Sequence, residues 1–475
     1  MNLNSKLLGG AAVALLAAAF AAPAQAQTTP VYSGGGTLAE KVYRDIFNCY
    51  GNQSGADLGT GLVGPQAACN GVAPYRSNVE ALYVGVGSGN GKKALVNHDA
   101  SQYVSGSRVP DAVPVPSTND FGPFFGTGAG STWTPGLTNP FPKVSFTGSD
   151  DPLTTGDVST YNTVSGGHWG APIQVPALIT TITVPFTPAA NWAPNVKIKI
   201  PAGGSSNVQF SSNTLCGIFT GAITQWNDAS ITADNKGTVL GTGNITVVAR
   251  ADSSGSTFLF TNALLNQCGL TNHPVPAQWI ADNGGSTTTS NNSFYVNVQT
   301  AGHLPANFIL STGSGGVRNT IKATTGSVGY LSPDFVQPII TAALGGLQAA
   351  NLQTYNSLVN HLTAKFVAPS AKNGTAIMGG TFAKAPLFTA NSCPGVGDGV
   401  CAHNPLNWGV ANPTPSSAAA YPVGGFTFID MYTCYAAAAD KDAVAGKTAG
   451  ALGLWTWYFG APMLALTSWV PSFSQ

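Results

Sequence analysis

Charged side chains make up only 8% of this 475-residue chain, where a soluble protein carries about a quarter. Its 19 basic and 19 acidic residues balance, so no net field draws in nucleic acid or an anionic membrane. A polyanionic partner is not expected. The six histidines are scattered without an HxH or HxxxH pair, and the seven cysteines show neither CxxC nor Cys/His spacing. No metal and no cofactor is therefore expected. Ser254 has no GxSxG setting and no neighbouring base in sequence, and no catalytic residue is assigned. Beyond residue 26 no apolar run is long enough to span a bilayer.

What the chain does have is glycine and proline, 58 and 32 residues respectively, which predict long, irregular connections. With 43% hydrophobic residues it still fills large cores, and its length points to two or more lobes. Residues 1–26 read as a cleaved export signal: Lys6, then an apolar stretch, then the small-residue pattern Ala24-Gln25-Ala26. Losing Lys6 leaves 18 basic residues against 19 acidic ones, a net charge near −1. The expected product is a periplasmic or extracellular protein that does not span a membrane. In such a compartment disulfides are plausible. Proximity in sequence pairs Cys49 with Cys69, Cys393 with Cys401 and, more loosely, Cys216 with Cys268, and leaves Cys434 as a buried thiol.

Helical periodicity covers residues 37–47 (TLAEKVYRDIF), and residues 81–86 (ALYVGV) read as a strand entering the turn GSGNGK, with a helix from near Lys92. Residues 99–147 form a Pro-, Gly- and Ser-rich surface insertion, and 366–421 are again loop-like. The β-branched run ALITTITVPFTP (177–188) predicts one buried strand. A two-helix block follows at 214–231, then a strand at 244–249 and a helix at 258–265. Residues 314–331 give a helix, a turn and a strand; 424–434 form a strand and 443–459 a closing helix. Strands alternating with helices indicate α/β lobes with mainly parallel sheets.

Four turns share one design, a strand leading through Gly, Ser or Thr into a helix start: GGGTL (34–38), GSGNG (87–91), GSDDP (148–152) and RADSSGS (250–256). Helix N-termini offer unpaired N–H groups and the positive end of the dipole. Glycine lets an anion approach the backbone, and a hydroxyl adds a donor. Each turn alone reads equally as ordinary capping; the four together, beside a lone arginine, favour a small oxyanion. Arg250 suits a tetrahedral oxyanion, with Asp252 orienting it. Asp150 should repel an anion unless the ligand carries a proton. Monohydrogen phosphate can donate to that carboxylate; fully ionised sulfate cannot. A salt bridge for Arg250 and a capping or loop role for Asp150 are the alternatives.

These residues resemble the periplasmic phosphate-binding proteins of phosphate ABC transporters, DING proteins included. The likeness is carried in order by GGGTL, VGVGSGNG, GSDDPL, IFTGAITQWNDASI, VVARADSSGSTFLFT and GSVGYL. It implies an α/β, two-lobe type II periplasmic binding protein fold with a hinge and an interlobe cleft that encloses dehydrated phosphate. It implies Thr37, Leu38 (through its N–H), Ser88, Asp150, Arg250, Ser254, Gly255 and Ser256 as phosphate-binding residues. It also implies delivery to an ABC permease for import. The lobes would be 27–176 with the returning 425–475, and 177–424. Three features depart from the pattern. Leu38 replaces an aromatic, Ser88 and Asp150 stand 62 positions apart, and the tetrapeptide that names the DING proteins is absent. A secreted DING-like phosphatase, or a surface protein assembling through the aromatic C-terminus (454–473), are the competing readings.

Overall fold

The short β-branched run TVVAR is buried along four of its five residues, and the longer GGFTFIDMY run along eight of nine. Such runs form interior strands, and each lies inside one of two five-stranded sheets. The computed structural model describes residues 29–51, 74–103, 143–192, 207–270, 277–282, 293–337, 346–378, 404–408, 415–448 and 451–460. The export signal, most of the 99–147 insertion, Cys69, Cys393 and Cys401 lie outside them.

The first half of the chain lays down β1 (Thr29–Gly35), α1 (Glu40–Tyr50), β2 (Val79–Gly85), α2 (Ser88–Asn97), β3 (Phe146–Ser149), α3 (Thr155–Val164) and β4 (Pro172–Thr181). Next come β5 (Pro185–Phe186), α4 (Ser212–Phe219), α5 (Ala229–Asp234), β6 (Thr246–Arg250) and α6 (Gly255–Cys268). Then follow β7 (Phe308–Ser311), α7 (Gly313–Ala323), β8 (Ser327–Gly329), β9 (Gln348–Ala349), β10 (Gly424–Tyr432), α8 (Ala438–Ala445) and α9 (Leu454–Tyr458). The first sheet has the order β2-β1-β3-β10-β4 and the second β9-β5-β8-β6-β7.

Both sheets are mixed, not mainly parallel. β1 runs parallel to β2 and β3, but β10 is antiparallel to β3 and β4. β6 is parallel to β7 and β8, while β5 is antiparallel to β8 and β9. The reason is the path of the chain. β10 enters the first sheet only after the second has been completed, so no crossover helix sets its direction. The run 177–188 is likewise not one buried strand. It splits into β4, an edge strand half-buried over most of its length, and β5 in the other sheet. The two passages between the sheets lie side by side, with Ile182 N donating to Val423 O at 3.0 Å.

One apolar core surrounds the second sheet, around Trp226, Phe219, Phe260 and Tyr330; two others flank the first, around Tyr43, Phe146 and Trp455 and around Leu95, Tyr103 and Tyr161. Cys216 and Cys268 form a disulfide with Cα atoms 5.6 Å apart, pinning α4 to α6. Cys49 is disulfide-bonded as well. Cys434 is a free thiol but an exposed one, contrary to the buried thiol expected, because β10 has ended at Tyr432 and the chain has left the sheet. The closing helix expected at 443–459 is interrupted. Gly446 and Gly453 stop the helical run, a hairpin pairs Lys447–Thr448 with Ala451–Leu452, and α9 starts afresh at Leu454. Trp455 and Trp457 of α9 pack in the core of the first sheet. The stretch 366–378 holds short elements rather than loop alone.

Candidate functional site

Three strand ends meet at one edge of the first sheet. Gly36 N donates to Gly148 O at 2.8 Å, and Gly35 O accepts from Val86 N at 2.9 Å and Gly87 N at 2.8 Å. Beyond these ends stand Thr37 and Leu38 after β1, Ser88 at the first position of α2, and Asp150 directly after β3. Gly87 caps α2 at φ 89°, a left-handed conformation that a side chain resists. Ser88 Oγ accepts from Asp150 N at 3.1 Å and donates to Asp150 Oδ2 at 3.3 Å. The turn at 148–152 differs from the others, since α3 begins only at Thr155, capped by Thr154. Asp150 therefore projects from a strand end.

The second sheet supplies the facing wall. β6 ends in Arg250, whose guanidinium forks onto Asp252: Nε donates to Oδ1 at 2.7 Å and Nη2 to Oδ2. Asp252 Oδ1 also accepts from Gly313 N at 3.0 Å, tying the pair to the start of α7. Tyr330 Oη accepts from Arg250 N at 3.1 Å and lies 2.6 Å from Thr257 Oγ1 on α6. That helix opens at Ser254, its cap, whose side chain accepts from Thr257 N. Gly255 and Ser256 follow, and all three are buried.

The two walls touch. Arg250 Nη1 donates to Thr37 Oγ1 at 3.4 Å and to Ser314 Oγ at 3.2 Å, and these two hydroxyls are 2.8 Å apart. A Cβ built on Gly255 would lie 2.6 Å from Asp150 Oδ2, so only glycine permits this approach. Leu38 leaves its own sheet entirely and packs its side chain into the core of the second one. Thus all eight residues singled out in the sequence border one crevice. Ser88, Asp150 and Arg250 are no more than 2% exposed. Among the described residues, Asp150 Oδ1 and Ser256 Oγ are buried with no hydrogen-bond partner. Polar atoms so placed are costly unless something else satisfies them.

The electrostatics separate the two acids of the crevice. Burial pushes the Asp150 carboxyl up to about 7, with Asp151 adding to the rise; the Ser88 bond and the Arg250 charge oppose it. Burial also acts against Asp252, but the adjoining guanidinium outweighs it and holds that carboxyl below its usual range. For Arg250, burial is likewise outweighed by Asp252, and the guanidinium stays charged. Because Arg250 is committed to Asp252, Asp150 shares little of its charge. Lys92, 2.7 Å from Asp151 Oδ2 and 3.2 Å from Asp157 Oδ2, neutralises the neighbouring acids instead. The crevice thus combines a fixed cation, several hydroxyl and N–H donors, and one acid poised to exchange a proton.

Ser314 escaped the sequence reading. Its signal was available: TGSGG at 312–316 follows the strand FILS with the same glycine and serine pattern as the other turns. No charged residue marked it. Among the described residues, no cluster of three or more His, Cys, Asp or Glu side chains is arranged to hold a metal ion, and no helix is long and apolar enough to cross a membrane.

Comparison with known proteins sets this crevice in context. A family model of the PBP superfamily domain matches residues 22–376. The chain is 30% identical over 379 residues to a protein named alkaline phosphatase L from Pseudomonas aeruginosa, covering 77% of this chain and 73% of that one. It is 29% identical over 341 residues to a phosphate-binding protein from an unknown prokaryotic organism, covering 67% and 77%. In three dimensions it matches a high-affinity periplasmic phosphate-binding protein of the DING type (PfluDING) with a TM-score of 0.52 at 24% identity, covering 93% of this chain and 94% of that one. By the extent of these matches the chain belongs to the PBP superfamily, with the two-lobe type II periplasmic binding protein fold.

Proposed function

We propose that the protein captures inorganic phosphate between its two lobes and carries it, outside the cytoplasm, to an ABC-type permease for import. The observation that carries this reading is Asp150: a buried carboxyl near neutrality, one oxygen unpartnered, in the same crevice as a fixed guanidinium. An acid there makes sense when the guest brings a proton. Monohydrogen phosphate donates its hydroxyl to Asp150, while its other oxygens accept from Arg250, from the hydroxyls of Thr37, Ser88, Ser254 and Ser256, and from the N–H groups of Leu38, Gly255 and Ser256. The mechanism is dehydration and hydrogen bonding, with no covalent step.

In this reading the lobes are residues 27–176 with 425–475, and residues 177–424. Thr37, Ser88 and Asp150 belong to one, Arg250 and residues 254–256 to the other. Only the closed arrangement satisfies both sets, so the ligand favours closure. Periplasmic or extracellular residence follows from the export signal and from the naming of the relatives. Calorimetric titration with phosphate and with sulfate, on the unaltered protein and on Asp150→Asn, tests the assignment. Phosphate should bind and sulfate should be rejected, with a narrower gap in the variant. An unchanged gap removes Asp150 from this role.

The relatives named alkaline phosphatase L favour a second reading, hydrolysis of phosphomonoesters in the same crevice. Turnover of an aryl phosphate that is lost in both Asp150→Asn and Arg250→Ala supports it. Turnover that survives both places the activity elsewhere.

A further inference from the structure

We infer that Ser314 is a positioning residue that fixes which way the Thr37 hydroxyl points, turning it into a donor committed to the bound anion. The inference rests on the phosphate reading above. The argument is a proton count. A guanidinium only donates, so Ser314 Oγ, 3.2 Å from Arg250 Nη1, accepts there. The single proton of Ser314 then goes to the one other hydroxyl in reach, Thr37 Oγ1 at 2.8 Å. Thr37 Oγ1 also accepts from Arg250 Nη1 at 3.4 Å. Both acceptor sites of Thr37 are thereby filled, and its own proton has no acceptor left among these partners. That proton turns into the crevice.

The arrangement selects for an anionic guest. A free threonine hydroxyl rotates between donating and accepting, and must be frozen in one state when the ligand arrives. With Ser314 in place the state is set beforehand, and the setting crosses the two lobes: Thr37 follows β1 of the first sheet, while Ser314 opens α7 beside the second. Ser314 is 2% exposed, so water does not compete for these bonds. The positive charge of Arg250 starts the chain, so its direction cannot reverse while the guanidinium is charged.

The test is a double-mutant cycle on the full mature protein, read by calorimetric titration with inorganic phosphate. Ser314→Ala should weaken phosphate binding by roughly tenfold, a loss typical of one charge-linked hydrogen bond, and Ser314→Thr should restore it. In a Thr37→Val background the further loss on adding Ser314→Ala should shrink to about threefold or less. A merely structural serine would cost the same in both backgrounds, and that outcome overturns the inference, as does an unaffected Ser314→Ala. Should Ser314→Ala fail to fold, Ser314→Cys, nearly isosteric and a weak donor, takes its place in the cycle. Absence of phosphate binding by the unaltered protein overturns the phosphate reading and this inference together; normal binding with additive losses overturns this inference alone.

Discussion

Lys41 and Asp334 form a buried ion pair, with Nζ 3.1 Å from Oδ2, between α1 of the first lobe and the turn that follows β8 of the second. Lys41 Nζ also lies 4.2 Å from the centroid of the Phe335 ring. Neither side chain borders the crevice residues, so the pair acts on lobe closure rather than on the guest.

Removing one partner should therefore loosen closure without changing selectivity. Lys41→Met is expected to raise the radius of gyration of the ligand-free protein in small-angle scattering and to weaken phosphate binding severalfold. The phosphate-to-sulfate ratio should stay as in the unaltered protein. Asp334→Asn, which leaves the ammonium buried and unpaired, should be the more damaging change, costing about 3–5 kcal/mol in denaturant unfolding. A changed ratio in Lys41→Met would show that the pair reaches the ligand after all.

The Asp150 carboxyl, raised from its ordinary 3.8 to about 7, gives binding a pH signature. Below that value the free protein carries Asp150 protonated, and accepting a hydrogen bond from phosphate requires the carboxylate. Binding at about pH 6 should release a proton from Asp150 that is no longer released at about pH 8.5. Calorimetry in buffers of different ionisation enthalpy measures it, and Asp150→Asn should lack this contribution. A protonated Asp150 can also donate to sulfate, so rejection of sulfate should relax as pH falls through 7. For folding the sign is the same: a raised carboxyl contributes stability that is full below 3.8 and lost as pH rises through about 7.

Gly255→Ala separates the site from the fold. The new methyl would meet Asp150 Oδ2 at 2.6 Å, while alanine is welcome in the first turn of a helix. Phosphate affinity should drop by at least tenfold, consistent with the 1–3 kcal/mol typical of overpacking. Thermal unfolding of the ligand-free protein should move little.

The Cys216–Cys268 bridge closes a loop spanning 52 positions. Chain entropy assigns such a bridge about 4 kcal/mol. Replacing both cysteines by alanine should lower stability by about 2–4 kcal/mol and leave the phosphate-to-sulfate ratio unchanged. Urea titration followed by binding of both anions checks the two halves of this statement.

The strands and the turns that follow them were legible because their signals are local. TVVAR is β-branched and apolar, and SSGST is a cap followed by a helix. Two features failed for the opposite reason. Residues 177–188 read as one strand because nothing in ALITTITVPFTP shows that the chain changes sheets between Thr181 and Pro185. Lys41 and Asp334, nearly three hundred positions apart, leave no trace in each other's neighbourhood. Leu38 was read as a change at the lip of the crevice through its backbone, but its side chain joins the opposite core, a destination that only the assembled fold defines. Ser314 lay in a pattern already recognised elsewhere, and was passed over because no charge accompanied it.

Strands Thr181 and Gly424 leave the first sheet together, and Ile182 and Val423 keep them bonded as they go. Two neighbouring straps of backbone bend readily in one plane and resist shear and torsion in the others. Relative movement of the halves is thereby narrowed toward a single rotation, like a door on paired hinges. Such a movement re-registers distant donors to the same positions at every cycle, so reproducible capture is secured by where the chain crosses rather than by the residues that hold the guest.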